Sequence, residues 1–193
     1  MKSQSVCFAN RNCGLSIIEL VVTFAVVATV AVLTIGGFPT NNVRSALRKE
    51  VEKTALDLRV AQNNAISGKV PSGSSATPRY WGIYFDINQP NQYIIFADVN
   101  GNKQYNAGTD TGMAFFFESG VTINRLRSFS GGDRSQLGFF FSVPYGETEI
   151  FYDNSTSNVT QEGTVRLGRT FRSQPITWDV RMRVSGQITV TAN

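Results

Sequence analysis

The sequence predicts an α+β protein. One long N-terminal helix, its first half membrane-spanning and its second half amphipathic, would pack on a C-terminal antiparallel β domain. Three observations carry that expectation. Between Leu15 and Phe38 a single residue, Glu19, is ionisable. From Leu47 to Ala65, apolar residues recur at intervals of three and four. From Tyr80 onward, short aromatic and β-branched runs are separated by Gly, Asn, Asp and Ser, with no helical period.

Composition narrows the chemistry. The 193 residues include no histidine, which excludes Ser-His-Asp and Cys-His catalysis, His-ligated zinc and haem on a proximal His. Both cysteines, Cys7 and Cys13, lie in the first fourteen residues and cannot staple a fold. The net charge of +4 is too mild to mark a nucleic-acid binder by itself.

Residues 1–14 are polar, with Lys2 and Arg11 and no acid. The 24 residues from Leu15 to Phe38 would make about 36 Å of helix, enough for a hydrocarbon core of about 30 Å. They are too many for an ordinary secretory signal. The cationic flank comes first, so the expected protein is single-pass in the inner membrane. Its N-terminus would be cytoplasmic and its C-terminal domain periplasmic, or extracellular in an assembly. A carboxylate five residues into such a run costs on the order of 2.5–3.5 kcal/mol in lipid. Glu19 is therefore a functional candidate, against the simpler reading of an acid reaching outward to the membrane surface.

Gly14-Leu15-Ser16-Ile17-Ile18-Glu19-Leu20 resembles the cleavage and methylation motif of type IV prepilins and type II secretion pseudopilins. The resemblance implies a prepilin peptidase that cuts between Gly14 and Leu15, N-methylation of Leu15, and a filament-assembly role for Glu19. Leu15 stands where that family usually has Phe. Pairing the amine of Leu15 in one subunit with Glu19 of a neighbour would neutralise both charges and set the register of a filament. Losing Lys2 and Arg11 with the leader would lower the net charge from +4 to +2.

The expected domains follow: 1–14 a cleaved leader, 15–38 a transmembrane helix, 39–68 an amphipathic helix continuing the spine, and 69–193 a globular β-rich domain. Gly36, Gly37 and Pro39 predict a kink. The stripe Leu47, Val51, Ala55, Leu58, Ala61 and Ala65 then needs a sheet to cover it, and Gly68 caps the helix. Residues 69–79 read as a loop. Strands are expected at Tyr80–Phe85, Gln92–Asp98, Met113–Phe117, Leu137–Val143, Glu149–Tyr152, Thr164–Leu167, Ile176–Val184 and Gln187–Thr191, with a turn at Ser185-Gly186. Ala61-Gln-Asn-Asn-Ala65-Ile66, Tyr80-Trp-Gly-Ile-Tyr-Phe85 and the terminal hairpin resemble the GspH/FimT group of minor pilins, which implies a pilin-like fold.

Two other constellations stand out. Asp98, Asn100, Asn102 and Asp110 place oxygen side chains as at the start of a calcium loop, although Lys103 sits where such a loop has Gly and Thr109 occupies the closing position, with Asp110 one residue late. The alternative is a polar turn capped by its own Asx hydrogen bonds, and no other cofactor is expected. Arg166, Arg169, Arg172, Arg181 and Arg183 face only Asp179 within 163–193. They could grip DNA through its phosphates, as the resemblance to DNA-uptake pilins implies, or be a solvated strand face or a contact to neighbouring pilins. No phosphate loop, nucleophile elbow or metal cluster is evident. The expected function is thus non-catalytic: a minor pilin or pseudopilin of a type IV pilus or type II secretion filament. Its partners would be prepilin peptidase, other pilin subunits and inner-membrane lipid. A competence-type pilin that binds DNA, and a membrane-anchored enzyme or sensor, are the alternatives.

Overall fold

The computed structural model describes residues 16–35, 38–72, 76–118, 120–153 and 155–193, without the side chains of 33–35 and 38–41. Gly14, Leu15, Cys7, Cys13 and the expected kink at Gly36-Gly37 lie outside the described residues. The chain divides into two units, Met1–Asn41 and Asn42–Asn193.

Helix α1 spans Ile17–Ile35. Its start is fixed by the Ser16 carbonyl, which accepts the amides of Glu19 (3.0 Å) and Leu20 (3.1 Å). Helix α2 spans Phe38–Ile66. It stops where Gly68 takes a left-handed φ of 60° and donates to the Ala65 carbonyl.

The remaining elements are strands. β1 (Tyr80–Asp86), β2 (Gln92–Asp98), β3 (Thr111–Phe116), β6 (Gln136–Ser142) and β7 (Thr148–Tyr152) form one antiparallel sheet in the order β3-β2-β1-β6-β7. β4 (Thr122–Ser128), β5 (Asp133–Arg134), β8 (Glu162–Phe171), β9 (Gln174–Arg183) and β10 (Ile188–Ala192) form the second, in the order β10-β9-β8-β4-β5. Gly186, at φ 80°, makes the expected turn between β9 and β10.

Within the Asn42–Asn193 unit, three surfaces share one core. The α2 stripe contributes Leu47, Val51, Leu58, Ala61 and Ala65. The first sheet contributes Ile83, Phe85, Tyr93, Leu137 and Phe139, and the second Leu126, Val165, Leu167, Val180 and Met182. The Tyr93 hydroxyl donates to Asp57 Oδ2, which ties helix to sheet. Burial first, and then Asp57, push that phenol well above its ordinary value. The opposite face of the first sheet carries a second aromatic cluster, Ile94, Phe96, Phe140 and Phe151, with Tyr80, Tyr84 and Tyr105 packed on it.

Three expectations are corrected here. The fold is not one long N-terminal helix packed on a single β domain. It has two short helices, and most of the chain is two antiparallel sheets. Among the described residues no helix is long and apolar enough to cross a membrane. The described apolar helix, Ile17–Ile35, has 19 residues, about 28 Å at 1.5 Å each against a core of roughly 30 Å. The single-pass inner-membrane location and the transmembrane assignment of 15–38 therefore lack their structural basis. A β-rich fold of this kind likewise gives no support of its own to the pilin-like label.

Candidate functional site

Three regions carry the residues singled out in the sequence. The first is the start of α1. Glu19 lies in its first turn, where an acid complements the positive end of the helix dipole. Among the described residues no basic side chain pairs with it. Every described side chain from Ser16 to Val32 is exposed. Two hydroxyls of this helix turn inward on its own backbone: Thr23 donates to the Leu20 carbonyl (2.8 Å) and Thr29 to that of Val26 (2.8 Å). Between Leu20 and Val32 the described helix surface therefore carries no charge and offers mostly apolar side chains on all sides.

The second region is the outer face of the sheet formed by β10-β9-β8-β4-β5. The expected pairing of Arg181 and Arg183 on one face holds, because both reach Glu162, at 3.2 and 2.8 Å. Arg166 lies opposite Asp179 in the β8–β9 register and donates twice to its carboxylate, at 2.7 and 2.9 Å. Burial pushes the Asp179 carboxyl up, but the bonds from Arg166 and Asn193 outweigh it and hold the group below its ordinary range. The same pair raises Arg166. Arg172 and Ser173, at φ 47° and 64°, form the tight turn between β8 and β9, with the Arg172 guanidinium 5.2 Å from the Phe171 ring. Arg169 packs beside Gly120. Three of the five arginines are thus neutralised by acids of the same face, leaving Arg169 and Arg172 without an ion pair among the described residues.

Two further arginines on this face, Arg125 and Arg127, were not among the sequence candidates. They belong to β4, and both approach Asp133 of β5, at 3.4 and 3.8 Å. A shift of register between Ile123 and Arg125 breaks the strand's alternation, so periodicity could not have found it. The signal was present only as the apolar pair Ile123 and Leu126, both buried.

The third region is the loop from Asp98 to Asp110, which joins β2 to β3. Asp98 accepts the amides of Gly101 (2.6 Å) and Lys103 (2.8 Å) on its two oxygens. Asn100 accepts from the Asn102 amide (2.9 Å), and Asn102 from that of Gln104 (3.0 Å). Asp110 Oδ2 accepts from the Asn106 amide (2.8 Å). The Asx capping expected of a polar turn is therefore present, and the loop also acts as a strap. Tyr105 packs edge-on to Phe96, and Lys103 reaches Glu149 at 2.7 Å while lying 5.0 Å from the Tyr80 ring centre. Burial lowers the Lys103 ammonium, but its bonds to Glu149 and Tyr80 leave it above its ordinary value.

A cavity of about 320 Å³ between the end of α2 and β3 is lined by Val60, Asn64, Trp81, Ile95, Met113 and Phe115, among others. It brings no acid and nucleophile together. Among the described residues no three His, Cys, Asp or Glu side chains converge on one point. No protein-family model, no curated protein and no solved structure matches the chain.

Proposed function

We propose that the chain is a structural, non-catalytic filament subunit of the minor pilin or pseudopilin kind, cut from its leader between Gly14 and Leu15. The observation that carries this reading is the coincidence of the Gly14–Glu19 motif with a helix whose described side chains are all exposed and, beyond Glu19, without charge. A helix of that character is normally buried, and left bare it makes an adhesive patch far larger than a soluble monomer tolerates. Copies of the same helix in an assembly are a sufficient cover for it. Glu19 then supplies the one polar contact, to the freed amine of Leu15 in a neighbouring subunit.

N-terminal mass analysis of the chain from cells with and without a prepilin peptidase tests the reading. The expected product begins at Leu15 only when the peptidase is present, and Gly14→Ala abolishes it. Glu19→Ala is expected to be cut normally and to be lost from the sheared filament fraction. A chain that still begins at Met1 beside an active peptidase, or a Glu19→Ala chain that assembles like the parent, would overturn the proposal. The ion pairs of Arg166, Arg181 and Arg183 supply nothing that favours the DNA-binding alternative.

A further inference from the structure

Buried charge in the Asn42–Asn193 unit is compensated with one exception. Four acids are buried there among the described residues: Glu50, Asp98, Asp110 and Asp179. Asp179 is held by Arg166, and Glu50, whose Oε2 is buried without a hydrogen bond, has the Lys53 ammonium 3.9 Å away. Asp98 and Asp110 have no basic side chain within ion-pair distance among the described residues. Lys103, the cation within their own loop, turns to Glu149. The Arg79 side chain lies along Gly101 without pairing to either acid. Asp98 is 0% exposed and Asp110 9%, and the two are close enough for the charge on Asp98 to act on Asp110.

The oxygens of this loop are not all used. Asp110 Oδ1 is buried and accepts no hydrogen bond. An uncompensated buried carboxylate is expensive, and its ordinary remedies are a cation or a proton. The amide bonds already described hold Asp98, Asn100 and Asn102 at first, third and fifth positions, the spacing with which oxygen ligands begin a calcium loop. Lys103, sixth in the loop, has the left-handed φ of 56° that such loops take at the sharp turn.

We propose that this loop binds a calcium-class divalent cation through the carboxylates of Asp98 and Asp110 and the amide oxygens of Asn100 and Asn102. The ligands are all hard oxygens on an irregular loop, which suits calcium better than magnesium with its demand for a near-ideal octahedron. Two carboxylates place the affinity at the weak end, a dissociation constant of about 10⁻⁴–10⁻³ M. The bound ion would pin the strap that carries Tyr105 and Lys103 over the outer face of the first sheet. This inference does not depend on the filament reading.

The test uses the purified full-length chain stripped with a chelator. It is titrated with calcium chloride by calorimetry, and separately with terbium, whose emission is sensitised by nearby tyrosines. The expected result is saturable binding of one ion, with Tm rising about 3–10 °C at ten- to hundredfold excess over the dissociation constant. Asp110→Asn keeps an acceptor for the Asn106 amide and removes the charge. It should raise the chelator-state Tm, because the uncompensated charge is gone, and lose at least about tenfold in affinity. Asn102→Ala, at an exposed position, should weaken binding without unfolding the chain. A folded parent that gives no saturable heat or emission up to 10 mM ion, or variants that bind as the parent does, would overturn the proposal.

Discussion

Arg166 and Asp179 are the clearest case in which a single residue's role depends on something linear charge counting cannot see. Between residues 163 and 193 the arginines outnumber the acids, and that excess suggested a surface for a polyanion. The register of β8 against β9 instead sets Arg166 on Asp179, and Glu162, one residue outside that window, takes both Arg181 and Arg183. Charge is legible in sequence, but partnership across strands is not, because it depends on which residues the ladder places opposite each other. The Asp179 carboxylate is almost fully buried and bonded at two oxygens, so removing it should cost about 3 kcal/mol at neutral pH. Because its folded pKa is depressed, the pair's contribution is complete above the carboxyl's ordinary value of 3.8 and is lost as pH falls through the lower, folded value. Denaturant melts of the parent and Asp179→Asn should therefore differ most at pH 6–7 and converge below pH 3.8. Curves that stay parallel down to pH 2 would show that the pair contributes nothing of this kind.

At the scale of elements, legibility followed alternation. β1 and β2 lie where Trp81, Ile83 and Phe85, and the run from Gln92 to Asp98, placed them. β4 escaped because its bulge puts Ile123 and Leu126 three apart, a spacing that matches neither strand nor core helix. β8 proved longer than the apolar stretch Thr164–Leu167, since it runs from Glu162 to Phe171 and takes in Glu162 and Arg169, polar residues that the apolar reading left outside. The partition into two sheets was not readable, because both inner faces carry the same kinds of apolar side chain and periodicity names no partner. The α2 stripe was readable, and Leu58 lies fully buried within it. Leu58→Ala should cost about 2–5 kcal/mol, measured by urea unfolding. Leu56, two residues away and exposed, should accept Ala within about 0.5 kcal/mol. Gly82, on central strand β1, is constrained by space rather than by φ. A Cβ there would sit 2.8 Å from the Phe96 ring and 3.2 Å from the Phe139 carbonyl oxygen. Gly82→Ala should lower stability by about 1–3 kcal/mol through overpacking, and pairing it with Phe96→Leu should recover part of that loss.

For the whole molecule, the apolar run from Leu15 to Phe38 suggested a membrane span, yet among the described residues no helix is long and apolar enough to cross a membrane. The division at Asn41/Asn42 carries a consequence that can be measured. The fragment 42–193 keeps the α2 stripe, both sheets and the Tyr93–Asp57 bond, so every buried side chain of the core retains its cover. It has 152 residues, a size at which a single hydrophobic core suffices. It should be a monomer that unfolds cooperatively, with the Tm of the Asn42–Asn193 unit in the full chain. Cutting further, to 69–193, strips Leu47, Val51, Leu58, Ala61 and Ala65 from the core and bares their apolar partners on the sheets. That shorter fragment should aggregate or bind hydrophobic dyes strongly, as exposed patches of this size do. Size-exclusion chromatography with light scattering separates the two outcomes. If 69–193 remained a dye-silent monomer with a sharp transition, the two sheets would close on each other without α2, and the helix would be an attachment to the β-structure rather than a third wall of its core.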